Sequence, residues 1–372
     1  MAKKKNRVEL RKNRTKPPRE KGWKRSFQEH GDGDDSTVAS ERVRAKGDLS
    51  RKRTIESSDD ASGQIMPDVD PAIHLPGRVV CCYGLDNLVQ TDDGRRFRCK
   101  VRRLLKSLST DERSIVATGD RVWIRPSLND EAFIERVEPR HGVLTRASRG
   151  REHVLVANVD QVVIVIALAE PALKQHLIDR YLASAAQGGI EPIVCLNKAD
   201  LVDAVEVQTI VGYYSQLGIR TILTSATTGM GVDQLCRLLT NRQSVISGQS
   251  GVGKSSLLNA IQPELGLRVR EVSDVNQKGR HTTTTADLIP LSFGGWVVDT
   301  PGIRQFALWD IIPEEVEGFF VEFRPYVALC DFPDCTHTHE EGCAVKKAVG
   351  LRYLSAQRYF SYLGMREGNL EG

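Results

Sequence analysis

Long hydrophobic runs are absent from this sequence, and no apolar stretch approaches the roughly 20 residues that a membrane-spanning helix needs. The first thirty residues are too polar to contain the apolar core of a secretory signal. We therefore expect a soluble, cytoplasmic protein that does not bind a membrane. Its eight cysteines are then not expected to form disulfides, and the absence of a Cys-x-x-Cys pair argues against a redox function.

A strong net charge is also absent, since the formal value is only +4, but the charge is unevenly distributed. Residues 1–25 contain twelve lysines and arginines against two glutamates, a net charge of +10. Such a basic arm binds polyanions through counterion release, and Trp23 and Phe27 are placed to stack on unpaired bases. The alternative is a solvated tail with no fixed partner.

Hydrophobic patterning separates an arm and a barrel in the first half of the 372 residues. Residues 1–70 are rich in charge, Ser, Gly and Asp, which predicts a disordered or loosely ordered arm. Residues 71–148 contain short alternating runs bounded by turn signals such as Asp93-Gly94, which is typical of an OB-type β-barrel.

The second half of the chain alternates apolar runs with helical patterns. Over residues 149–308, nearly uninterrupted runs such as QVVIVIALA are each followed by an amphipathic segment, which predicts a parallel, doubly wound α/β domain. Residues 309–372 contain a Cys/His cluster and two helical patterns, which predicts a helical, zinc-binding domain. No internal repeat is present.

A phosphate-binding loop is predicted at 248–256, where GQSGVGKSS fits G-x-x-x-x-G-K-[ST] between a strand pattern and a helix pattern. Glycine lets the backbone turn tightly and present its N–H groups to phosphate oxygens at a helix N-terminus. Lys254 is expected to reach the β- and γ-phosphates as a catalytic residue, and Ser255 to bind Mg²⁺. The nucleotide-binding residues of this loop are Gly248, Gln249, Ser250, Gly251, Val252, Gly253, Lys254, Ser255 and Ser256.

A second strand-end motif, DTPG, begins at Asp299 and ends at Gly302. This D-x-x-G spacing suits contact with the Mg²⁺ water shell and the γ-phosphate. Between the two motifs, the row of hydroxyls in KGRHTTTT offers one more Mg²⁺ ligand. Thr283 is taken as the candidate, but the sequence does not distinguish it from Thr282 or Thr284.

The stretch NKAD at 197–200 follows another apolar strand pattern and is typical of guanine recognition. The carboxylate of Asp200 can accept hydrogen bonds from guanine N1–H and the 2-amino group, a pair that adenine lacks. A buried carboxylate without its donors is costly, so this one residue selects the base strongly. Asn197 is expected to tie the loop to the phosphate loop, and the Lys198 stem to cover the base.

TSA at 224–226 ends a further strand pattern, where Ser225 and Ala226 are candidate guanine contacts, the latter through its backbone N–H at O6. The order NKAD, TSA, phosphate loop, threonine row and DTPG is a circular permutation of the usual GTPase order. Permutation is tolerated where termini lie close together at the surface. It connects DTPG directly to the C-terminal segment, so nucleotide state can be transmitted there along the chain.

These motifs resemble those of the circularly permuted ribosome biogenesis GTPases of the RsgA (YjeQ) family. The resemblance rests on NKAD, GQSGVGKSS, GRHTTTT, DTPGIR and CDFPDCTHTHEEGC and covers about residues 75 to 365. It implies a GTPase that is stimulated by the small ribosomal subunit and acts late in that subunit's maturation, with its rRNA as a partner. Nothing in the sequence indicates an obligate oligomer, and a monomer is expected.

The glutamine that follows D-x-x-G in many GTPases and orients the attacking water is replaced here by Ile303. An apolar side chain cannot orient water, so another group must do so or the intrinsic rate is low. His281 is the candidate catalytic residue, because a neutral imidazole can accept a hydrogen bond from water. The alternative is a loop residue that contacts RNA or solvent.

The Cys/His cluster supplies three thiolates and one imidazole within fourteen residues, which suits one structural, tetrahedral Zn²⁺. Its members are Cys330, Cys335, His337 and Cys343. Spacing leaves His339 as an alternative, whereas the family resemblance favours His337. A reduced thiol cluster without metal is the competing interpretation. Nearby basic residues are candidates for RNA contact or for a solvated helix face, namely Lys346, Lys347, Arg352 and Arg358.

Two other classes of function fit parts of the sequence. An RNA-binding scaffold with a vestigial nucleotide site is disfavoured by the intact Lys254, Ser255 and Asp299. An ATPase or another P-loop kinase is disfavoured by Asp200, which has no matching donors on adenine.

Replacing Asp200 by Asn is expected to reduce the preference for GTP over ATP by about tenfold or more, because the amide presents a donor where guanine also presents one. The measurement is the ratio of GTP to ATP affinity, with fold and metal content as controls that should not change. A ratio equal to that of the wild type would contradict the guanine assignment.

Overall fold

The structure is a computed structural model that describes residues 4–9, 52–59, 65–83, 86–102, 105, 115–127, 129–148, 151–266, 286–299 and 311–368. Strands β1 (Lys4–Glu9), β2 (Lys52–Asp59) and β3 (Ile65–Pro67) form a three-stranded antiparallel sheet. Apart from residues 68–70, the remainder of the arm lies outside the described residues, so its disorder stays a prediction. None of the helices described combines the length and the apolar character that crossing a bilayer requires.

Five strands then close into a barrel. They are β4 (Leu75–Tyr83), β5 (Asp86–Thr91), β6 (Arg96–Val101), β7 (Arg121–Pro126) and β8 (Glu131–Val137). Their order around the barrel is β4-β5-β6-β8-β7 and back to β4, with only the β6–β8 pair parallel. Alternate side chains such as Val89, Phe97 and Ile124 fill the interior. The predicted OB-type barrel is confirmed, with Gly94 at φ +86° in the turn between β5 and β6.

A hairpin leads from the barrel into the α/β domain. Its strands are β9 (Leu144–Ser148) and β10 (Arg151–Val156), which pair antiparallel. The boundary predicted between residues 148 and 149 falls inside this hairpin. The four domain ranges therefore stay predictions, although the order of the architectures is as expected.

The α/β domain is built on six strands, of which five are parallel. They are β11 (Gln161–Ala167), β12 (Glu191–Asn197), β13 (Arg220–Leu223), β14 (Gln243–Ser247), β15 (Asp287–Pro290) and β16 (Trp296–Asp299). Their spatial order is β13-β12-β11-β14-β16-β15, and β15 is the antiparallel member. The helices are α1 (Gln175–Gln187), α2 (Ala204–Gln216), α3 (Val232–Leu239) and α4 (Lys254–Ile261).

Every residue of β11 is buried, because helices cover both faces of the sheet. Ile164 and Ile166 point to the face where α1 and α2 pack. Val163 and Val165 point to the opposite face, which α3 and α4 cover. The uninterrupted apolar run of this strand is thus explained, and the predicted doubly wound fold is confirmed.

The barrel and the α/β domain share one continuous sheet of eleven strands, because Cys81 of β4 pairs with Asp287 of β15. Beside this junction, the Arg78 guanidinium donates to the Gln243 side chain at the start of β14. The same guanidinium lies 5.7 Å from the centre of the Trp296 ring. Burial lowers the pKa of Arg78 to about 10. Backbone pairing and a half-buried cation therefore both contribute to the contact between the two domains.

The C-terminal segment is helical. Its α-helices are α5 (Arg324–Val327), α6 (Ala344–Gly350) and α7 (Ala356–Arg366), preceded by 3₁₀ turns at Pro313–Phe319 and Val321–Phe323. Phe320, Phe323 and Tyr362 form its aromatic core, with Phe323 5.2 Å from each of the other two rings. Edge-to-face and tilted arrangements of this kind add to the stabilisation that burial provides.

A buried polar network joins this segment to the α/β domain. The Arg358 guanidinium of α7 donates to Asp179 of α1 at 3.1 Å and to both carboxylate oxygens of Glu322, at 2.7 and 3.2 Å. Asp179 also accepts from Tyr214 at 3.0 Å and from Ser361 at 2.6 Å. Burial raises the pKa of the Asp179 carboxyl above its ordinary value, and Arg358 opposes that shift.

The structure corrects the interpretation of Arg358 as an RNA-contacting residue. Its side chain is only 5% exposed and its guanidinium lies 4.2 Å from the centre of the Phe320 ring. Lys347 and Arg352, by contrast, are exposed. A basic residue on an amphipathic helix has the same pattern whether it faces solvent or a buried carboxylate, so the sequence did not distinguish them.

Replacing Arg358 by Ala is expected to lower the free energy of unfolding by about 3–5 kcal/mol, because it leaves Asp179 and Glu322 without their buried cation. Urea titration followed by circular dichroism measures this loss. The matched control is Lys347→Ala on the exposed face of α6, for which a change within about 0.5 kcal/mol is expected. Equal effects of the two substitutions would contradict the role given to the network.

Candidate nucleotide site and metal centre

The predicted nucleotide motifs lie at the carboxyl ends of neighbouring parallel strands. Asn197 is the last residue of β12, residues 224–226 follow β13, residues 248–253 follow β14, and Asp299 ends β16. Strands β11 and β14 are adjacent at the centre, where the strand order reverses direction. In open α/β sheets, ligands bind outside the carboxyl ends of the strands at this position.

The phosphate loop adopts backbone conformations that glycine permits. Gly248 has φ +146°, and a Cβ there would lie 2.0 Å from the Val165 carbonyl oxygen. Gly253 has φ +92° and precedes α4, which begins at Lys254. Gly251 is also at positive φ. The sequence thus folds into a tight turn whose N–H groups and helix N-terminus suit a phosphate.

Two side chains of α4 stand at the opening of this loop. The Lys254 ammonium donates to the carbonyl oxygens of Gly248 and Gln249, at 2.7 and 2.5 Å, and therefore spans the loop. Ser255 is the second residue of α4 and is half-buried, as is Ser256, whereas Ser250 is exposed. Val252 is buried in the core beneath the loop. These positions fit a phosphate chain with Mg²⁺ at the Ser255 hydroxyl.

The structure brings the NKAD and phosphate loops together. The Asn197 side-chain amide donates to the Val252 carbonyl at 2.8 Å, and its own carbonyl accepts from the Thr224 hydroxyl at 3.1 Å. Asn197 and Thr224 are buried. A Cβ on Gly253 would lie 2.4 Å from the Asn197 amide nitrogen, so the close approach also requires glycine at that position. Thr224 links the third motif, TSA, to the other two.

The candidate guanine contacts lie beside this link. Asp200 is exposed in a short 3₁₀ turn over Ala199–Leu201, ahead of which Lys198 has φ +60°. The Lys198 ammonium donates to the Glu170 carbonyl. Ser225 is fully buried and its hydroxyl accepts from the backbone N–H of Thr228 at 3.1 Å, whereas Ala226 is half-buried. An exposed Asp200 is accessible to a base that enters from solvent.

The remaining nucleotide candidates are only partly described. The backbone of Asp299 pairs with Asp287 at the end of β16. His281, Thr283 and Gly302 lie outside the described residues, as do Thr282, Thr284 and Ile303. The roles predicted for these residues stay predictions.

Four side chains converge in the C-terminal segment: Cys330, Cys335, His337 and Cys343, whose ligand atoms all lie within 4.8 Å of one another. Among the described residues this is the only cluster of its kind. The His337 Nδ1 atom lies 3.6 Å from the Cys330 sulfur and 3.4 Å from the Cys343 sulfur, and those sulfurs are 4.0 Å apart. A tetrahedral Zn²⁺ with Zn–S of ~2.3 Å and Zn–N of ~2.0 Å requires separations of roughly 3.5–3.8 Å. The geometry therefore fits one zinc ion.

Surrounding groups orient these ligands. The Nε2 atom of His337 lies 3.2 Å from a carboxylate oxygen of Glu317, an arrangement that directs Nδ1 towards the thiols. The Cys343 sulfur accepts from the Lys346 backbone N–H at 3.4 Å and caps α6, whose N-terminus favours a thiolate. Burial raises the pKa of the Cys335 thiol to about 12, so a cation is needed to hold it as a thiolate.

The geometry decides which of two histidines can be the fourth ligand, a choice that the spacing of the ligands did not make. His337 is fully buried within the cluster, whereas His339 is exposed and its Nδ1 atom lies 3.0 Å from the Thr338 hydroxyl. Sequence reasoning missed Glu317, because a single glutamate thirteen residues before Cys330 carries no recognisable pattern.

Comparisons with known proteins agree with this arrangement. The sequence profile of the family described as RsgA GTPase matches residues 137–309. A protein named small ribosomal subunit biogenesis GTPase RsgA from Photorhabdus laumondii is 41% identical over 298 residues, which is 77% of this chain and 82% of that protein. One of the same name from Bacteroides fragilis is 38% identical over 304 residues, covering 80% of this chain and 98% of that protein.

Solved structures show the same likeness. The crystal structure of YjeQ from Thermotoga maritima matches with a TM-score of 0.65 and 36% identity, covering 81% of this chain and all (100%) of that one. The structure of YloQ, described as a circularly permuted GTPase, matches with a TM-score of 0.61 and 27% identity, covering 80% of this chain and 96% of that one.

The metal centre predicts one zinc per chain that depends on His337 and not on His339. His337→Ala and Cys335→Ser are each expected to lower zinc occupancy at least about tenfold, because a four-ligand site loses one ligand. Elemental analysis of the purified proteins measures the zinc, and His339→Ala is the matched control that should retain it. Retention of zinc by His337→Ala together with its loss from His339→Ala would overturn the assignment.

Proposed function

This chain belongs to the RsgA family of GTPases, and from that premise we propose a GTP-hydrolysing switch that binds the small ribosomal subunit and assists its late maturation. Hydrolysis of GTP to GDP and phosphate follows from membership of the family. The relatives' names support a role in biogenesis of the small subunit. Stimulation of hydrolysis by the subunit is the further step of this proposal.

The observation that carries the nucleotide assignment is the hydrogen bond from the Asn197 side chain to the Val252 carbonyl. It joins the guanine motif to the phosphate loop, although in this chain, unlike in ordinary GTPases, the guanine motif precedes the loop. Asp200 selects guanine through its N1–H and 2-amino donors. Ser225 and Ala226 line the same end of the sheet.

The phosphate loop residues Gly248 to Ser256 bind the phosphates mainly through backbone N–H groups at the start of α4. Lys254, which spans the loop through two carbonyl oxygens, moves its ammonium to the β- and γ-phosphates. Mg²⁺ supplies charge neutralisation between the phosphates when bound, held by Ser255 and one switch threonine, for which Thr283 is our candidate. Asp299 and Gly302 complete this side of the site.

Slow intrinsic hydrolysis is expected, because Ile303 stands where many GTPases have the glutamine that orients water. We assign this orienting role to His281. A hydrolysis step that needs help from a bound partner suits a switch that acts only on the subunit.

A barrel surface supports rRNA as the partner. On the outer face of the barrel, Phe133 of β8 pairs with Lys100 of β6 on one side and with Arg125 of β7 on the other. Phe133 is 40% exposed, and both cationic residues are exposed. An exposed aromatic ring between two cations suits a stacked base and its neighbouring phosphates. Arg96 and Arg98 extend the positive charge along β6.

The C-terminal segment provides the second docking unit, held rigid by one structural zinc at Cys330, Cys335, His337 and Cys343. The basic arm over residues 1–25 is a third source of RNA affinity. We propose that the protein acts in the cytoplasm, where these partners assemble, and that it acts as a monomer.

The decisive measurement is steady-state hydrolysis of GTP and ATP by the purified protein, with and without small ribosomal subunits, at two salt concentrations. We expect stimulation by the subunits that is strong, selective for GTP and weaker at the higher salt concentration, because phosphate contacts release counterions. No stimulation, with slow or absent turnover, would favour an RNA-binding protein that only senses guanine nucleotide.

Variants of the barrel face refine the same assay. Lys100→Glu and Phe133→Ala should raise the subunit concentration needed for half-maximal stimulation by about tenfold, and leave hydrolysis by the isolated protein unchanged. Arg237→Glu on the exposed surface of α3 is the control for a change of charge elsewhere. Equal responses from all three variants would remove the barrel face from the proposal.

A further inference from the structure

A loop of the barrel, residues 115–120, lies against the α/β domain just before β7. Asp120 is fully buried and accepts from the Arg140 guanidinium at 2.8 and 2.9 Å and from the Ala117 backbone N–H at 2.7 Å. Gly119 has φ +93°, and a Cβ there would lie 2.1 Å from the Ala157 carbonyl oxygen. The loop is therefore held both by its own carboxylate and by close contact with the neighbouring domain.

From this loop, the Thr118 hydroxyl donates to the backbone carbonyl of Ala286 at 2.9 Å. Both residues are buried, with 3% and 7% of their surface exposed. The Thr118 carbonyl in turn accepts from the Ala157 N–H at 2.8 Å. The Thr118 side chain of the barrel thus forms a buried hydrogen bond with the main chain of the α/β domain.

Ala286 lies beside the part of the nucleotide site that is predicted to contact the γ-phosphate. Ala286 directly follows the row of four threonines at 282–285. The next residue, Asp287, pairs with Cys81 of the barrel on one side and with Asp299 on the other. Asp299 begins DTPG. Thr118 therefore contacts Ala286, one residue before the pairing of β15 with β16 that ends at Asp299.

We propose that Thr118 is a positioning residue for GTP hydrolysis, which acts by fixing the backbone at Ala286 and, through Asp287, the end of β16. This inference rests on the nucleotide site proposed above. The Thr118 hydroxyl fixes the backbone at Ala286, where the edge strand β15 begins. Because Asp287 pairs with Asp299, the position of β15 also fixes the end of β16. A movement of the barrel when it binds RNA would change the position of the switch residues through the contact between Thr118 and Ala286.

A contact that only sealed the interface would have different consequences. Loss of packing would lower thermal stability and would affect every ligand of the site alike. Loss of positioning at Asp299 would instead leave the guanine and phosphate loops intact, since Asn197 is hydrogen-bonded to both Val252 and Thr224 and neither bond involves Ala286. It would lower kcat with little change in KM, the pattern of an interaction realised in the transition state.

The test compares Thr118→Val with Thr118→Ser in single-turnover and steady-state GTP hydrolysis by the isolated, full-length protein. Valine keeps the shape but removes the donor, whereas serine keeps the donor and loses only a methyl group. We expect kcat to fall about tenfold for Thr118→Val, with KM and GDP affinity within about twofold of wild type. Thr118→Ser should retain the wild-type kcat within about twofold.

Thr240→Val is the matched control, because the Thr240 hydroxyl also donates to a backbone carbonyl, that of Cys236, at 2.8 Å. Thr240 follows α3, and its neighbour Asn241 contacts the turn between β15 and β16, at the end of β15 opposite to Ala286. Removal of the Thr240 hydroxyl should leave kcat unchanged. Where Thr118→Val does not fold, Thr118→Ala replaces it, since alanine removes the hydroxyl without placing a methyl group against the carbonyl.

An unchanged kcat in a folded Thr118→Val or Thr118→Ala would overturn the proposal, as would an equal loss in Thr118→Ser. The assay needs no ribosomal subunit, so these outcomes are separate from a failure of subunit stimulation. A wild-type protein without GTP hydrolysis under single turnover would count against the nucleotide site itself, and thereby against this inference.

Discussion

The parallel pairing of β11 with β12 on one side and β14 on the other is the constraint on which the rest of the molecule depends. Seven residues of β11 pair with β12, and four pair with β14. Because both faces of β11 are buried, a slip of one residue would move its side chains from one core to the other. The register therefore holds the ends of β12 and β14 at one edge, and with them Asn197 and the phosphate loop.

This constraint explains how a permuted chain can bring its described nucleotide motifs together. The motifs are brought together by the spatial order of the strands, which does not depend on the order in which the chain visits them. The permutation changes which parts of the α/β domain are connected to the barrel and to the C-terminal segment. The barrel pairs with the edge strand β15 at Asp287, which leaves fewer backbone groups of that strand unpaired. The segment with the Cys/His cluster packs on α1.

The sequence predicted those parts of the fold and site in which few residue types can satisfy the chemistry. Glycine at 248 and 253, Lys254 and Asn197 belong to this class, as do the alternating strands of the barrel. Partners that any residue of the right charge could supply were not predictable. Arg358 meets Asp179 across 179 positions of sequence, and Glu317 or Thr118 carries no local pattern.

The link between Asp179 and Arg358 also limits how modular this protein is. A fragment that ended where the sequence suggests a domain boundary, at residue 308, would keep Asp179 and Tyr214 in the interior and lose the guanidinium that compensates the carboxylate. The Tyr362 and Phe320 core that buries Arg358 would be lost with it. We therefore expect the α/β domain and the C-terminal segment to unfold together, and a stable fragment of this GTPase to need the chain up to the end of α7.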